Sequence, residues 1–404
     1  MRVLYVSDVY FPRVNGVSTS IGTFRADLDR LGIQTLLVAP RYPGQAPDLE
    51  RAVVRVAGGR VPGDPEDRRM RWGALTQALN ALEREPFDLV HIQTPFVAHY
   101  AGVRYARRRG LPCVASYHTF FEEYLHHYVP ALPRQIGRGI ARAFTRSQCA
   151  DVGALVAPSE PLRQMLHDYG VETPIHVIPT GLPADRFQPG DGERFRALAG
   201  LPPRRPLVTY VGRVAHEKNI DFLVRAFARV RHAVPDALLV IAGEGPARES
   251  LRRLVQAQGL TADVRFVGYL DRNSALLDCY AAASVFVFAS RTETQGLVLL
   301  EAFAQGTPVV STAELGTKSI LAPACGALIC EELTEPFAAA VVRVLTDTGL
   351  RRALADQART YARGWSSLTM AGRLGELYHA LSATGSARGP DAAVTDLHGA
   401  CAAR

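Results

Sequence analysis

Lysine is almost missing from this 404-residue chain: Lys218 and Lys318 are the only two among 46 basic residues. Long apolar runs are missing too. Nowhere do about 18 apolar residues follow one another, which excludes a membrane-spanning helix. The opening Met-Arg-Val-Leu-Tyr-Val-Ser-Asp is too short for the apolar region of a secretory signal, and no small-residue cleavage site follows it. The six cysteines (Cys113, Cys149, Cys279, Cys325, Cys330, Cys401) are scattered and form no C-x-x-C pair. That argues against a disulfide framework or a zinc site and for reduced thiols in a cytosol. What is present, 48% hydrophobic and 21% charged residues, excludes a disordered, collagen-like or coiled-coil chain. The length exceeds one compact core and predicts two domains in a cytoplasmic protein.

The net charge of +7 is unevenly spread. Residues 101–150 hold eight arginines against Glu122 and Glu123. Arg134, Arg138, Arg142 and Arg146 recur every four residues and would form a basic stripe on a helix, with Ile136, Ile140 and Phe144 on another face. Arg68, Arg69 and Arg71 adjoin Trp72. A basic amphipathic helix with an Arg/Trp cluster suits an anionic membrane surface, where each cation contributes about 1 kcal/mol. The alternative is a solvated helix face in an arginine-rich chain. No recognisable nucleic-acid-binding module accompanies the charge, so nucleic acid is not the expected partner.

Short β-branched runs alternate with amphipathic stretches. Expected strands are Val3–Val6, Thr35–Ala39, Val53–Val56, Leu89–Ile92, Cys113–Ser116, Ala154–Ala157 and His176–Ile178, then Leu207–Val211, Leu238–Ala242, Val264–Val267, Val285–Phe288, Pro308–Ser311 and Ala327–Cys330. The alternation predicts two α/β, doubly wound parallel sheets: an N-terminal domain over 1–181 and a C-terminal domain over 207–365. The Pro-, Gly- and Arg-rich stretch 182–206 reads as a linker, and 382–404 as a mobile tail. In such folds chemistry sits in loops after the strands' carboxyl ends.

Two of those loops stand out. After Leu207–Val211 comes Gly212-Arg213-Val214-Ala215-His216-Glu217-Lys218-Asn219, then a helical pattern. Gly212 permits a tight turn, and Arg213 and Lys218 can converge on an anion aided by amides at the helix start. A fork beside a mobile point charge suits a diphosphate; the competing reading is a surface ion pair with Glu217. After Val285–Phe288 comes Glu293-Thr-Gln-Gly-Leu-Val-Leu-Leu-Glu301. Gly296 would begin a helix, leaving Glu293 in the loop to accept sugar hydroxyls and Glu301 inside the helix to accept a ribose diol.

With these marks the chain resembles the retaining, nucleotide-sugar-dependent glycosyltransferases of the GT-B fold, family 4, of the diacylglycerol glucosyltransferase and phosphatidylinositol mannosyltransferase type. The resemblance covers about residues 1–375 and includes Asn15-Gly16-Val17, Ser159, and Ala242-Gly-Glu-Gly-Pro246. It implies two Rossmann-like domains facing across a deep cleft, with a helix near Ser366–Leu381 crossing back to the first. It also implies that Arg213 and Lys218 hold the donor diphosphate, with Asn15 and the Gly16 amide beside them. Glu301 would bind the ribose, and Glu293 with the Gly296-Leu297 loop the donor sugar. Tyr269 and Leu270 would lie near the base. His118, in Ser116-Tyr117-His118-Thr119, corresponds to the family's active-site histidine. The sequence departs from the family in Asn15-Gly16 for Gly-Gly, and in Glu314-Leu315-Gly316-Thr317-Lys318-Ser319 for Gly-Gly-x-x-Glu. The aromatic stretch Tyr117–Tyr128 is similar to the acceptor side of members that glycosylate diacylglycerol.

The implied activity is retaining transfer of a hexose to a hydroxyl of a membrane lipid, with no cofactor or metal, by a peripheral protein at the inner membrane face. UDP-glucose is the expected donor, GDP-mannose the alternative, and a soluble sugar or polysaccharide the alternative acceptor. Other classes fit less well. His118, Glu122 and His126 share a helical face, but H-x3-E-x3-H is not a zinc-hydrolase spacing. Gly243-Glu-Gly245 lacks the third glycine of a dinucleotide fingerprint. A non-catalytic nucleotide-sugar or polyanion binder would not need His118, Arg213, Lys218, Glu293 and Glu301 together.

Overall fold

Apart from one charged hairpin, the strands form where an apolar run is short. In the computed structural model, which describes residues 1–44, 52–61, 64–118, 134–272 and 274–386, they are β1 (Arg2–Val6), β2 (Gln34–Pro40), β3 (Val53–Val56), β4 (Gly58–Val61), β5 (Asp64–Met70), β6 (Leu89–Ile92), β7 (Cys113–Ser116), β8 (Ala154–Ala157) and β9 (Ile175–Val177), then β10 (Leu207–Val211), β11 (Leu238–Ala242), β12 (Val264–Gly268), β13 (Val285–Phe288), β14 (Val309–Ser311) and β15 (Ala327–Ile329). The helices are α1 (Gly16–Arg30), α2 (Trp72–Ala81), α3 (Val97–Arg109), α4 (Arg134–Ala150), α5 (Glu160–Asp168), α6 (Gly192–Leu198) and α7 (Ile220–Ala233), then α8 (Arg248–Ala257), α9 (Ala275–Ala282), α10 (Leu297–Ala304), α11 (Thr317–Leu321), α12 (Thr334–Thr346), α13 (Thr348–Ala362) and α14 (Ser367–Ser386).

Beside a small β4–β5 pair, two large sheets result, ordered β3-β2-β1-β6-β7-β8-β9 and β12-β11-β10-β13-β14-β15, with every neighbouring pair in these two parallel. Each reverses its winding beside its first strand, between β1 and β6 and between β10 and β13, so each has a crevice at the strands' carboxyl ends. These are the two doubly wound, Rossmann-like domains of the expected α/β class. Alternate residues of β1 enter opposite cores: Leu4 and Val6 pack with α2 and α3, while Val3 and Tyr5 pack with α1 and α14. Met370, Ala371, Leu374, Leu377 and Tyr378 put a helical stripe of α14 into that second core, so α14 completes the first domain.

The backbone crosses between domains twice, side by side. Leu182 N–H donates to Trp365 O at 2.7 Å, and Ser367 N–H donates to Leu182 O at 3.0 Å. Gly181 lets them touch, since a Cβ there would lie 2.5 Å from Ser367 N.

Four local features of the structure differ from the sequence reading or lie beyond it. The 182–206 stretch is no free linker: it carries a 3-10 turn (Ala184–Phe187) and α6, which packs on α9 through Arg194 Nε to Asp278 Oδ2 at 2.7 Å. Gly190 and Gly192 serve close contact, Gly190 sitting where a Cβ would meet Leu277 O at 2.4 Å. The antiparallel β4–β5 hairpin was not anticipated, because Gly58-Gly59-Arg60 and the charged strand opposite lack apolar alternation. Helix α4 buries Ala141, Thr145, Gln148 and Cys149, whereas Ile140 is 51% exposed and Phe144 half-buried. Small and polar residues win that face because Tyr117 and Pro95 supply hydroxyl and carbonyl partners for Thr145 and Gln148. Finally, α14 runs on to Ser386, past Leu381 and into the expected tail. The remainder of that tail, 387–404, lies outside the described residues, as does 119–133 with most of the aromatic stretch.

Candidate active site

The loops after β10 and β11 interlock through glycine. Gly212 (φ +154°) and Gly243 (φ +132°) touch so closely that a Cβ on Gly243 would lie 2.0 Å from Gly212 O. Val214 N–H donates to Glu244 O at 2.9 Å. The Gly-Glu-Gly-Pro segment is thus a brace for the neighbouring loop. Its product is a rigid 213–219 segment ending in a 3-10 turn (His216–Lys218) and Asn219 in the left-handed region, whose Nδ2 donates to Ala289 O at 3.2 Å.

That segment supplies three charges, and the β13–α10 loop a fourth. Lys218 Nζ lies 2.7 Å from Glu293 Oε2, and Arg213 Nη1 3.6 Å from Glu217 Oε1. The Arg213–Glu217 pair anticipated as the competing role is present, and Lys218 reaches across to the β13–α10 loop. Beneath them Tyr210 is held well above its ordinary value, by burial first and then by Glu293 and Glu217. All four ionic side chains are part-exposed, so each cation can exchange its carboxylate for an incoming anion.

Gly296 (φ +100°) precedes α10, leaving Glu293 in the loop and Glu301 inside the helix. The two carboxylates have different surroundings. Glu301 is buried, accepts from Tyr280 Oη at 3.0 Å and pairs with Arg272 Nη2 at 2.5 Å. Arg272 was not foreseen; one arginine in an arginine-rich chain gives no signal. Tyr269 is 52% exposed, while Leu270 packs on the core. The segment 314–319, where the sequence departs from the family pattern, abuts the Glu293 loop: Gly316 N–H donates to Glu293 O at 2.9 Å, and Leu315 (φ +48°) occupies a left-handed position that favours glycine. Lys318 is exposed and 3.6 Å from Glu314.

On the first domain, Asn15 caps α1, its Oδ1 accepting from Ser18 N–H at 2.8 Å. Gly16 has no atom within 4 Å of where a Cβ would stand, so internal packing does not require a glycine there. His118 follows β7 at the same edge. Its Nε2 is buried with no hydrogen-bond partner among the described residues, and burial holds the imidazole down at about 4. It is therefore neutral at pH 7.

Beneath His118 lies a buried relay. His91 Nε2 is 2.9 Å from Ser116 Oγ, its Nδ1 is 2.5 Å from Tyr378 Oη, and Tyr378 Oη is 2.7 Å from Tyr5 Oη. Burial, and secondarily His118, holds His91 down at about 3. A histidine depressed by folding contributes stability fully above its ordinary value of about 6.5, and loses it as pH falls towards the folded value. Between pH 7 and pH 5 His91 thus withdraws about 2 kcal/mol, and His118 acts in the same direction. Asp8 opposes them. Burial raises it to about 6 against bonds from Ala98 N–H and Thr94 Oγ1, so its protonation returns about 1 kcal/mol over that interval. Urea midpoints are expected to show a net loss from pH 7 to pH 5, smaller by about 2 kcal/mol in His91→Gln. An unchanged pH dependence in that variant would show that His91 does not carry the effect.

The remaining candidates are spread over the first domain. Arg68 and Arg69 lie on β5, Arg71 precedes α2 and Trp72 begins it, with Arg69, Arg71 and Trp72 exposed. On α4, Arg138 is exposed and Arg142 sits 4.9 Å from the Tyr169 ring. Arg134 is its first residue, at the edge of the undescribed segment that also contains Glu122 and His126. Exposed Ile140 (51%), Phe96 (50%) and Tyr100 (45%) accompany them on the first domain. No helix among the described residues is long and apolar enough to cross a membrane, and none of their His, Cys, Asp and Glu side chains cluster in a way that would hold a metal ion.

Two doubly wound domains with cations and carboxylates gathered in the loops after β10 and β13 define an α/β protein with a charged site at the strands' carboxyl ends. Residues 191–361 match the family described as Glycosyl transferases group 1, and residues 14–186 the one described as Glycosyltransferase Family 4. The alpha-monoglucosyldiacylglycerol synthase of Streptococcus pneumoniae is 30% identical over 320 residues, 77% of this chain and 71% of that protein. The GDP-mannose-dependent alpha-mannosyltransferase of Mycolicibacterium smegmatis is 28% identical over 90% of this chain and 94% of its own. Among solved structures, sucrose-phosphate synthase from Thermosynechococcus elongatus superposes with a TM-score of 0.78 at 22% identity, covering 95% of this chain and all of that one. A glycosyltransferase from Rickettsia africae gives 0.73 at 17%, covering 94% and 98%. The chain belongs to the family 4 (group 1) glycosyltransferases and has their GT-B fold.

Proposed function

We propose that the enzyme moves a hexose, with retention, from a nucleoside diphosphate sugar to a hydroxyl of a membrane lipid such as diacylglycerol. The observation that carries this is the Lys218–Glu293 pair at 2.7 Å with Arg213 beside it. An arriving diphosphate exchanges places with the carboxylates on Lys218 and Arg213, and Glu293 is released to accept hydroxyl hydrogens of the sugar. Charge growing on the leaving diphosphate then meets two fixed cations, electrostatic stabilisation without a protein nucleophile and without a required metal. The Gly16 amide supplies a further donor from the first domain, next to Asn15. Glu301 retains lone pairs for the ribose, and the Tyr269-Leu270 and Gly296-Leu297 backbones face base and sugar. His118, neutral at pH 7, offers an uncharged imidazole beside the sugar. The acceptor hydroxyl attacks from the face that the diphosphate leaves, and a phosphate oxygen takes its proton.

Glucose from UDP-glucose is the favoured donor sugar, in keeping with the name of the 30%-identical relative. GDP-mannose is the second reading, because the relative aligned over 90% of this chain is named for it. Calorimetric titration with UDP and GDP in the presence of a chelator tests the site and chooses between them. Micromolar affinity for one nucleotide is expected; none for either removes the proposal.

The lipid acceptor is supported by the surface of α4, where an exposed Ile140 shares the helix with the exposed Arg138. An apolar residue among cations fits the boundary of an anionic bilayer, and supports a position at the inner face of the cell membrane. Sedimentation with vesicles containing anionic lipid is expected to capture the wild type and to lose most of an Ile140→Asp/Arg138→Glu variant. Equal capture of both would return α4 to a solvated face, and favour a soluble sugar or polysaccharide acceptor.

A further inference from the structure

The loop carrying Glu293 is fastened to the other domain, at the point where the chain crosses. Gln295 is buried, at 6% exposure. Its carboxamide engages one residue twice: Thr180 N–H donates to Oε1 at 2.9 Å, and Nε2 donates to Thr180 O at 2.6 Å. The orientation is forced, since a backbone N–H only donates and a carbonyl only accepts. One residue earlier, Thr294 O accepts from Ser159 Oγ at 2.7 Å, and Ser159, directly before α5, is itself buried. The Thr180 hydroxyl pairs at 2.7 Å with Ser20 Oγ, one turn into α1 from Gly16. Thr180 also adjoins Gly181 and Leu182, which touch the returning strand at Ser366 and Ser367.

Hydrogen bonds therefore link α1 through Ser20 and Thr180 to Gln295, and two residues of loop backbone carry the connection on to Glu293 and its partner Lys218. The two ends of this connection are the two halves of the donor site. We propose that Gln295 is a positioning residue, holding the Glu293 loop in register with the interdomain crossing and with α1. This rests on the donor-site reading above. A leucine has similar bulk but can neither accept from nor donate to Thr180, so the loop would keep its cover and lose its register. Loss of alignment by about 1 Å is enough to cost on the order of 10²-fold in rate.

Three variants, Gln295→Leu, Gln295→Glu and Ser159→Ala, test this through hydrogen exchange in the nucleotide-free enzyme, nucleotide affinity and transfer kinetics. For Gln295→Leu we expect faster exchange confined to segments 178–182 and 290–296, UDP or GDP affinity within about threefold of wild type, and kcat lower by about 10²-fold. Gln295→Glu keeps the acceptor for Thr180 N–H, but donates to Thr180 O only when protonated, so its activity relative to wild type should rise from pH 8 to pH 6. Ser159→Ala should show a smaller effect of the same kind, and stands in if Gln295→Leu does not fold. Unchanged exchange at 178–182, exchange raised throughout the molecule, or unchanged kcat with the segments loosened would each overturn the proposal. If the wild type binds neither nucleotide, the donor-site reading fails by itself, and the exchange pattern still decides whether Gln295 ties loop to crossing.

Discussion

Lys218→Ala is expected to lower affinity for the donor nucleotide by at least about 10²-fold while leaving the fold intact. The local charge balance is the reason. Arg213, Glu217, Lys218 and Glu293 cancel one another as two cations and two carboxylates. Removing the ammonium leaves Glu293 facing the incoming diphosphate with one cation fewer to offset it. Unit charges about 4 Å apart near a protein surface interact by about 4 kcal/mol, which makes the lost attraction and the new repulsion both consequential. Transfer should fall further than binding, by about 10²–10³-fold in kcat, because the cation meets more charge in the transition state than in the ground state. Stability should change little, since a part-exposed pair of this kind is worth about 0–1 kcal/mol. Lys318→Ala is the control. That lysine is exposed and paired at 3.6 Å with Glu314, so nucleotide affinity should survive its loss. Calorimetry and thermal unfolding on both variants read the contrast. Undiminished nucleotide binding by Lys218→Ala would show that the diphosphate lies elsewhere.

Much of the architecture was legible because it depends on local pattern. Runs such as Leu238–Ala242 and Val285–Phe288 are apolar throughout, and only a strand covered on both faces gives such a run this meaning. Gly212 and Gly296 announced their loops because the backbone there takes conformations that few other residues adopt. What stayed hidden depends on partners distant in sequence. Gln295 reads as one polar residue in a polar loop until the fold brings Thr180, 115 positions away, against its carboxamide. The 182–206 stretch reads as a linker because proline and glycine dominate it, yet Gly190 and Arg194 are there to fit α9 closely. On α4 the helical period was legible, but which residues the helix buries was not. Ile140 points outward, because Thr145 and Gln148 find buried polar partners that periodicity cannot show.

Arg272→Leu should be the most destabilising of the site substitutions, and its rescue tells structure from ligand binding. Glu301 has 3% of its side chain exposed and Arg272 25%, with 2.5 Å between their charged atoms. Deleting one member of a buried pair strands the other, at a cost of about 3–5 kcal/mol. The partial exposure of Arg272 and the surviving Tyr280 bond at 3.0 Å place this case near the lower end. A loss of about 3 kcal/mol corresponds to roughly 6–12 °C in Tm for a domain of this size. Arg272→Leu/Glu301→Leu leaves no orphaned charge and should recover most of that loss, because replacing both partners by apolar groups is close to neutral. Nucleotide affinity should not recover with it, since the carboxylate offered to the ribose is gone. Recovery of both stability and affinity in the double variant would assign Glu301 a purely internal role and remove it from the donor site. Recovery of neither would mean that the helix needs its buried carboxylate for reasons beyond charge pairing.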